Sequence, residues 1–139
     1  MPYSALVFVY RKAGTTPEQF KAYYDEIHVP LLLELTGSTF PLAHKRHYIQ
    51  RQSGQKQDDQ DTARNPTTPA TVHVGTQEDF DYDVIVELTF EDESAYHTFF
   101  GVMRQPENAA KIVADEEMFI DRSRLIIVGV GSTVTTERL

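Results

Sequence analysis

Residues 16–31 constrain this chain more than any other stretch. Thr16, Pro17 and Gln19 form a helix start: a hydroxyl to cap the first turn, a proline where no backbone donor is needed, and a side chain that reaches back to the cap. Phe20, Tyr23 or Tyr24, Ile27 and Leu31 then recur at three- and four-residue steps and mark one apolar face. Pro30 disfavours helical geometry at Val29, so the helix is expected to run from about Pro17 to Val29, with residues 31–35 as a possible extension. His28 then falls at or near its last turn, along the edge of the apolar face. An imidazole is held over whatever the helix covers.

The strand patterns supply that surface. Residues 3–10 are apolar almost throughout, as in a strand covered on both faces. Residues 42–51 read as a second strand, with Leu42, His44, Arg46 and Tyr48 on one face and Ala43, Lys45, His47 and Ile49 on the other. Residues 81–90 alternate cleanly, with Tyr82, Val84, Val86, Leu88 and Phe90 on one side. Glu91 or Asp92 begins a second helix carrying Tyr96, Phe99, Phe100 and Met103, and Pro106 starts a shorter one through about Asp115. Residues 119–130 form the last strand, followed by a loose tail. Residues 52–79, dominated by Gln, Asp, Thr, Pro and Gly without any period, are expected to be a long loop: a lid or a disordered insertion.

The order β-α-β-β-α-β over a single domain, residues 1–139, predicts an α+β ferredoxin-like fold, an antiparallel four-stranded sheet with helices on one face. The first and last strands are apolar on both sides, so the other sheet face also needs a cover. A second copy of the chain is the simplest one, which predicts a homodimer.

Charge narrows the partners. Lys and Arg number 13 against 21 Asp and Glu, a net charge of −8, which argues against nucleic acid and anionic membranes. No cysteine is present, so disulfides and thiolate metal sites are out. No apolar run approaches the ~20 residues that span a bilayer, and Met1-Pro2-Tyr3-Ser4 lacks a basic leader, so a cytoplasmic protein is expected.

Among residues able to do chemistry, His28 stands first, because an imidazole can serve as general acid or base without a cofactor. The competing reading is a helix-end histidine facing the negative end of the dipole. His44 shares its strand face with Arg46 and Tyr48, a set able to bind a carboxylate or phenolate, or else to sit at a solvated strand end. His47 lies on the opposite face, toward the expected dimer interface. His97 adjoins the Tyr96, Phe99 and Phe100 face, either in the pocket or on its rim. Glu116, Glu117 and Asp121 form an acidic group that can orient an imidazole or simply mark a solvated turn. His44 and His47 are the one close histidine pair, and their faces diverge, so no metal and no cofactor are expected.

Tyr10-Arg11-Lys12, Gly14, Glu18, Phe20 and Tyr24, followed by His28-Val29-Pro30-Leu31, resemble the EthD family of dimeric α+β barrel proteins. Residues 115–123 are similar to the segment leading into that family's final strand. The resemblance is strongest to fungal members that accompany polyketide synthases, some of them decarboxylase-like. Where such members would carry a histidine, this chain has Glu116. The resemblance implies a pocket between sheet and helices, and a cofactor-free enzyme acting on a small hydrophobic aromatic or polyketide substrate. Decarboxylation of an aromatic or polyketone acid is the leading expectation. Polyketide cyclisation or dehydration, cofactor-free oxygenation of a phenolic or anthrone substrate, and non-catalytic binding of a hydrophobic metabolite are the alternatives. His28, His44 and His97 are the expected catalytic residues; Tyr24, Arg46, Tyr48, Phe8, Phe99 and Glu116 are expected to bind substrate, with Leu6, Val86 and Phe100 in the pocket wall.

Overall fold

The computed structural model describes residues 1–52 and 68–139. Four strands, β1 (Tyr3–Val9), β2 (Ala43–Tyr48), β3 (Val84–Phe90) and β4 (Ile126–Gly129), form one antiparallel sheet in the order β2-β3-β1-β4. Four helices accompany it: α1 (Pro17–Tyr23), α2 (Val29–Thr36), α3 (Glu93–Met103) and α4 (Pro106–Glu116). This is the expected α+β, ferredoxin-like arrangement. Among the described residues no helix is long and apolar enough to cross a membrane.

Period two decides which strand residues meet the helices. Ala5, Val7 and Val9 of β1 and Val84, Val86, Leu88 and Phe90 of β3 are buried. Most of them join Phe20, Tyr24, Phe99 and Phe119 in one core. Leu6 and Phe8 alternate with those residues and lie on the other sheet face, where Phe8 packs on Tyr82. The expectation that Leu6 and Phe8 help to build the pocket is therefore corrected. An apolar run with no polar phase does not tell which of its faces turns inward.

The last strand is shorter than expected. Ile120 makes a single bridge to Arg11, and a 3₁₀ turn at Arg122–Arg124, capped by the Asp121 side chain, separates that bridge from β4. Ile126, Ile127 and Val128 on this edge strand are all at least 41% exposed.

The helix start at Thr16 is built as its sequence demands. The Thr16 hydroxyl accepts from the Gln19 amide at 3.0 Å, and the Gln19 side chain accepts from the Thr16 amide at 3.0 Å. Its end is not where Pro30 suggests. The chain runs on through a π-helical turn at Tyr24–His28 directly into α2, which ends at Gly37. Within this turn the Val29 amide donates to the Tyr24 carbonyl, five residues back. A proline supplies no amide, and its ring crowds the carbonyl four residues before it. Widening one turn accommodates both. His28 thus sits in mid-helix rather than at a terminus, which removes the helix-dipole reading.

A buried ionic knot ties the strand ends together. Asp83 accepts from the Arg11 amide at 2.6 Å, from Arg11 Nη1 at 2.5 Å and from Arg51 Nη2 at 2.8 Å. Much of the expected lid, residues 53–67, lies outside the described residues. The described part of that segment is packed. Arg51 bridges Ala70, Gln77 brackets the backbone of buried Ala70, and Gln77–Phe80 forms a 3₁₀ turn closed by a Thr76–Asp79 capping box.

Candidate active site

Between the inner sheet face and the helices lies an apolar cavity of ≈ 80 Å³. Val7, Val86 and Leu88 form its floor, Phe99 and Phe119 part of its wall, and it extends to Ile127, which is 41% exposed on β4. Its polar lining comes from His28, His44 and Glu116, with Tyr24 between the two imidazoles at ring-centroid distances of 5.7 and 5.9 Å. That volume holds a few water molecules. A ring-sized ligand has to displace part of the wall, and the flexible, half-buried Met103 is suited to give way.

His28 is 3% exposed and wedged against Phe119, with ring centroids 4.9 Å apart. Its Nδ1 lies 2.7 Å from Asp115 Oδ2. The other carboxylate oxygen, Asp115 Oδ1, accepts from the Tyr23 hydroxyl at 2.5 Å. Burial, then the bond to Asp115, push that hydroxyl up to about 12, so it stays a donor. An ionised carboxylate can only accept, which places a proton on His28 Nδ1 and leaves Nε2 with a lone pair in the neutral ring. Glu116 Oε2 is 4.0 Å from that Nε2, beyond hydrogen-bond reach. Glu116 Oε1 is held by Arg122 Nε at 3.0 Å.

His44 is assigned the same way. Arg46 Nη1 lies 2.9 Å from His44 Nδ1, and a guanidinium can only donate. His44 Nδ1 is therefore the acceptor and the ring carries its hydrogen on Nε2. Burial first, then the Arg46 charge, lower its pKa to about 4, so this imidazole is neutral at physiological pH. Arg46 is itself fixed by Asp25, Nε to Oδ1 at 2.8 Å, and Asp25 also accepts from Tyr48 at 2.5 Å and Lys21 at 2.8 Å. Burial alone would raise the Asp25 carboxyl, but these bonds from Lys21, Tyr48 and Arg46 outweigh it and hold it below its ordinary value.

Among the described residues no buried side-chain nitrogen or oxygen lacks a partner. Among the described residues the Nε2 atoms of His28 and His44 make no hydrogen bond, and both imidazoles line the cavity. The site therefore presents one imidazole able to take a proton and a second fixed as a neutral donor.

The structure brings His28, His44, Tyr24, Phe99 and Glu116 together at this cavity. It does not bring the rest. His97 is exposed on α3 and faces Glu93 at 3.3 Å, because neighbouring helix residues point roughly 100° apart and Tyr96 and Phe99 take the inward directions. Arg46 and Tyr48 lie on the expected β2 face but beside the cavity, committed to Asp25, so they position rather than line the site. Phe8 is on the far side of the sheet. His47 is on the outer face near Glu87, at 3.7 Å. Asp115 and Tyr23 were missing from the sequence-derived set. The only signal for Asp115 was its place at the head of the acidic run before the last strand.

No curated protein matches this sequence. Solved structures do. An ethyl tert-butyl ether D (EthD) family protein from Bacillus halodurans is 14% identical over 94% of this chain and 99% of its own, with a TM-score of 0.53. An EthD-like protein from Ralstonia eutropha is 16% identical over 99% and 95%, with a TM-score of 0.51. An Arabidopsis thaliana protein is 16% identical over 98% and 92%, at 0.50. At such identities the likeness speaks for the fold. The EthD domain model, by contrast, matches the sequence itself over residues 12–123, and on that match the chain belongs to the EthD domain family.

Proposed function

We propose that this protein is a cofactor-independent enzyme that moves a proton to or from a carbon next to a carbonyl group. The substrate class is an aromatic or polyketone compound of polyketide-type metabolism. One observation carries the reading: a buried imidazole that lines an apolar cavity is anchored through Nδ1 on Asp115, and among the described residues its Nε2 is unbonded. Such a base takes the proton at Nε2 while the carboxylate fixes the ring and steadies the imidazolium. The substrate oxygen becomes an enolate as the carbon is deprotonated, and the neutral Nε2–H of His44 is a fitting donor to it. Decarboxylation, dehydration and aldol cyclisation all pass through that enolate.

The test needs no natural substrate. 2′-Hydroxyacetophenone, the ortho-hydroxyphenyl methyl ketone, has enolisable methyl protons, and their exchange for deuterium can be followed by proton NMR in D2O. His28→Gln keeps hydrogen bonding but removes the base, and catalysed exchange is expected to fall ~10²–10⁴-fold. A folded variant that exchanges within about threefold of the parent makes His28 structural and defeats the reading.

We further propose a cytoplasmic homodimer joined through the outer sheet face, where Leu6, Phe8, Ile85, Ile126 and Val128 gather around Lys45 and Glu87. Light scattering is expected to give twice 15.9 kDa at micromolar concentration. A monomer there would end this part of the proposal.

A further inference from the structure

We infer that Glu116 makes the cavity selective for a neutral hydroxyketone and against a free carboxylic acid. The inference rests on the acid–base reading of the His28 and His44 cavity and adds the charge and the hydrogen-bonding pattern of its substrate.

Among the cavity's described lining residues there is no Lys or Arg. Arg46, which touches the lining through His44, spends Nε on Asp25 and Nη1 on His44. The one charged side chain in the lining is Glu116, and Asp115 stands behind His28 as a second carboxylate. Arg122 offsets Glu116 only from outside. Its side chain is 41% exposed and bonds Oε1, while the Glu116 side chain is 13% exposed and its Oε2 lies on the His28 side. A substrate carboxylate would meet a like charge in a poorly solvated space with no cation to receive it.

The same groups suit a different ligand. With Nδ1 protonated toward Asp115, His28 Nε2 accepts, and Glu116 Oε2 accepts 4.0 Å away. Of these two acceptors, Glu116 Oε2 is matched by a ligand O–H, and the His28 lone pair is kept for the substrate C–H. The enol or phenol of a hydroxyketone supplies that O–H. Its carbonyl then needs a donor, and His44 Nε2–H provides it. The pattern is acceptor, acceptor, donor, and the complement is an enolic or phenolic hydroxyl beside a ketone. This weighs against decarboxylation of a free acid and toward dehydration or cyclisation of a neutral hydroxyketone.

Two small probes separate charge from shape: 2′-hydroxyacetophenone, and salicylate, which replaces the ketone by a carboxylate on the same phenol ring. Calorimetric titration at pH 7.5 is expected to give at least about tenfold tighter binding of the ketone. In Glu116→Gln the preference should shrink about tenfold, through tighter salicylate binding. Equal or tighter salicylate binding by the parent overturns the inference, and so does an unchanged ratio in a folded Glu116→Gln. Should that variant fail to fold, Arg122→Gln at the exposed partner takes its place. Removing the outside cation should widen the preference for the ketone by about threefold, and an unchanged ratio there also overturns it. The readout is independent of His28→Gln exchange. A lost binding preference with His28-dependent exchange intact rejects selectivity alone. Retained selectivity with exchange indifferent to His28 rejects the catalytic reading instead.

Discussion

Two carboxylates, Asp83 and Asp115, are each held by several donors, yet the two regions do different work. Asp83 is 4% exposed and locked by the guanidinium groups of Arg11 and Arg51. That knot joins the end of β1, the segment after β2 and the start of β3. Asp115 is held instead by a tyrosine hydroxyl and an imidazole, and the imidazole keeps a second nitrogen open to a cavity. A carboxylate closed off by permanent cations fixes a structure. One that steadies a titratable ring, with an unbonded atom beyond it, can support proton transfer.

The strongest way to break this comparison is Asp83→Asn. It leaves two buried guanidinium groups short of their counter-charge, and removing one partner of such a network costs about 3–5 kcal/mol. The melting temperature is expected to drop by about 10 °C or more. Deuterium exchange per folded molecule should stay at the parental rate, since Asp83 does not line the cavity. A loss of exchange in protein that remains folded would erase the distinction between the two regions.

Asp115→Asn asks the reverse. The amide keeps the shape but no longer fixes the imidazole tautomer or balances the imidazolium. Exchange should slow by about 10–100-fold, as when carboxylate partners of functional histidines are removed. Stability should change far less than for Asp83→Asn. Comparable unfolding of the two variants would show that both clusters are structural.

The smallest effect belongs to His44. Its folded-state pKa of about 4 lies below the ordinary 6.5, so on acidification the unfolded chain binds the proton first. Stability from this group is complete above pH 6.5 and declines as the pH falls toward 4. The loss should be on the order of 1 kcal/mol by pH 5. His44→Asn can still accept from Arg46 and does not titrate, so its melting curves should be flatter over that range. Equal slopes in parent and variant would mean that burial and the Arg46 charge do not hold the ring neutral.

The sequence disclosed most where a short-range rule has one solution. The Thr16 capping box, the alternation of β3 and the shared face of His44, Arg46 and Tyr48 are of this kind. It disclosed less where the answer depends on distant packing. The contact between His28 and Asp115 spans 87 positions, and nothing local told Asp115 from Glu116, Glu117 or Asp121. Phe8 was misplaced because β1 offers no polar phase, and His97 because it adjoins an apolar face without being part of it. The Asp83 knot was invisible for the same reason: Arg11 and Arg51 stand 72 and 32 positions before it.

The wide turn at Tyr24–His28 has a consequence for how the site tolerates change. Since each residue advances a helix by roughly 100°, aim along it is a matter of counting positions between the cap at Thr16 and the imidazole. The turn holds one residue more than a regular ladder would accept. Dropping a residue there would let the ladder close without turning α2, whereas adding one while α1 stayed on its cap would rotate everything beyond by that angle. His28 would leave the cavity although its own identity, and that of every neighbour, was unaltered. Side-chain replacement leaves the count intact and so cannot reveal this dependence. Length variation can, and among related chains an insertion at this turn would say more about a retained activity than the presence of the histidine.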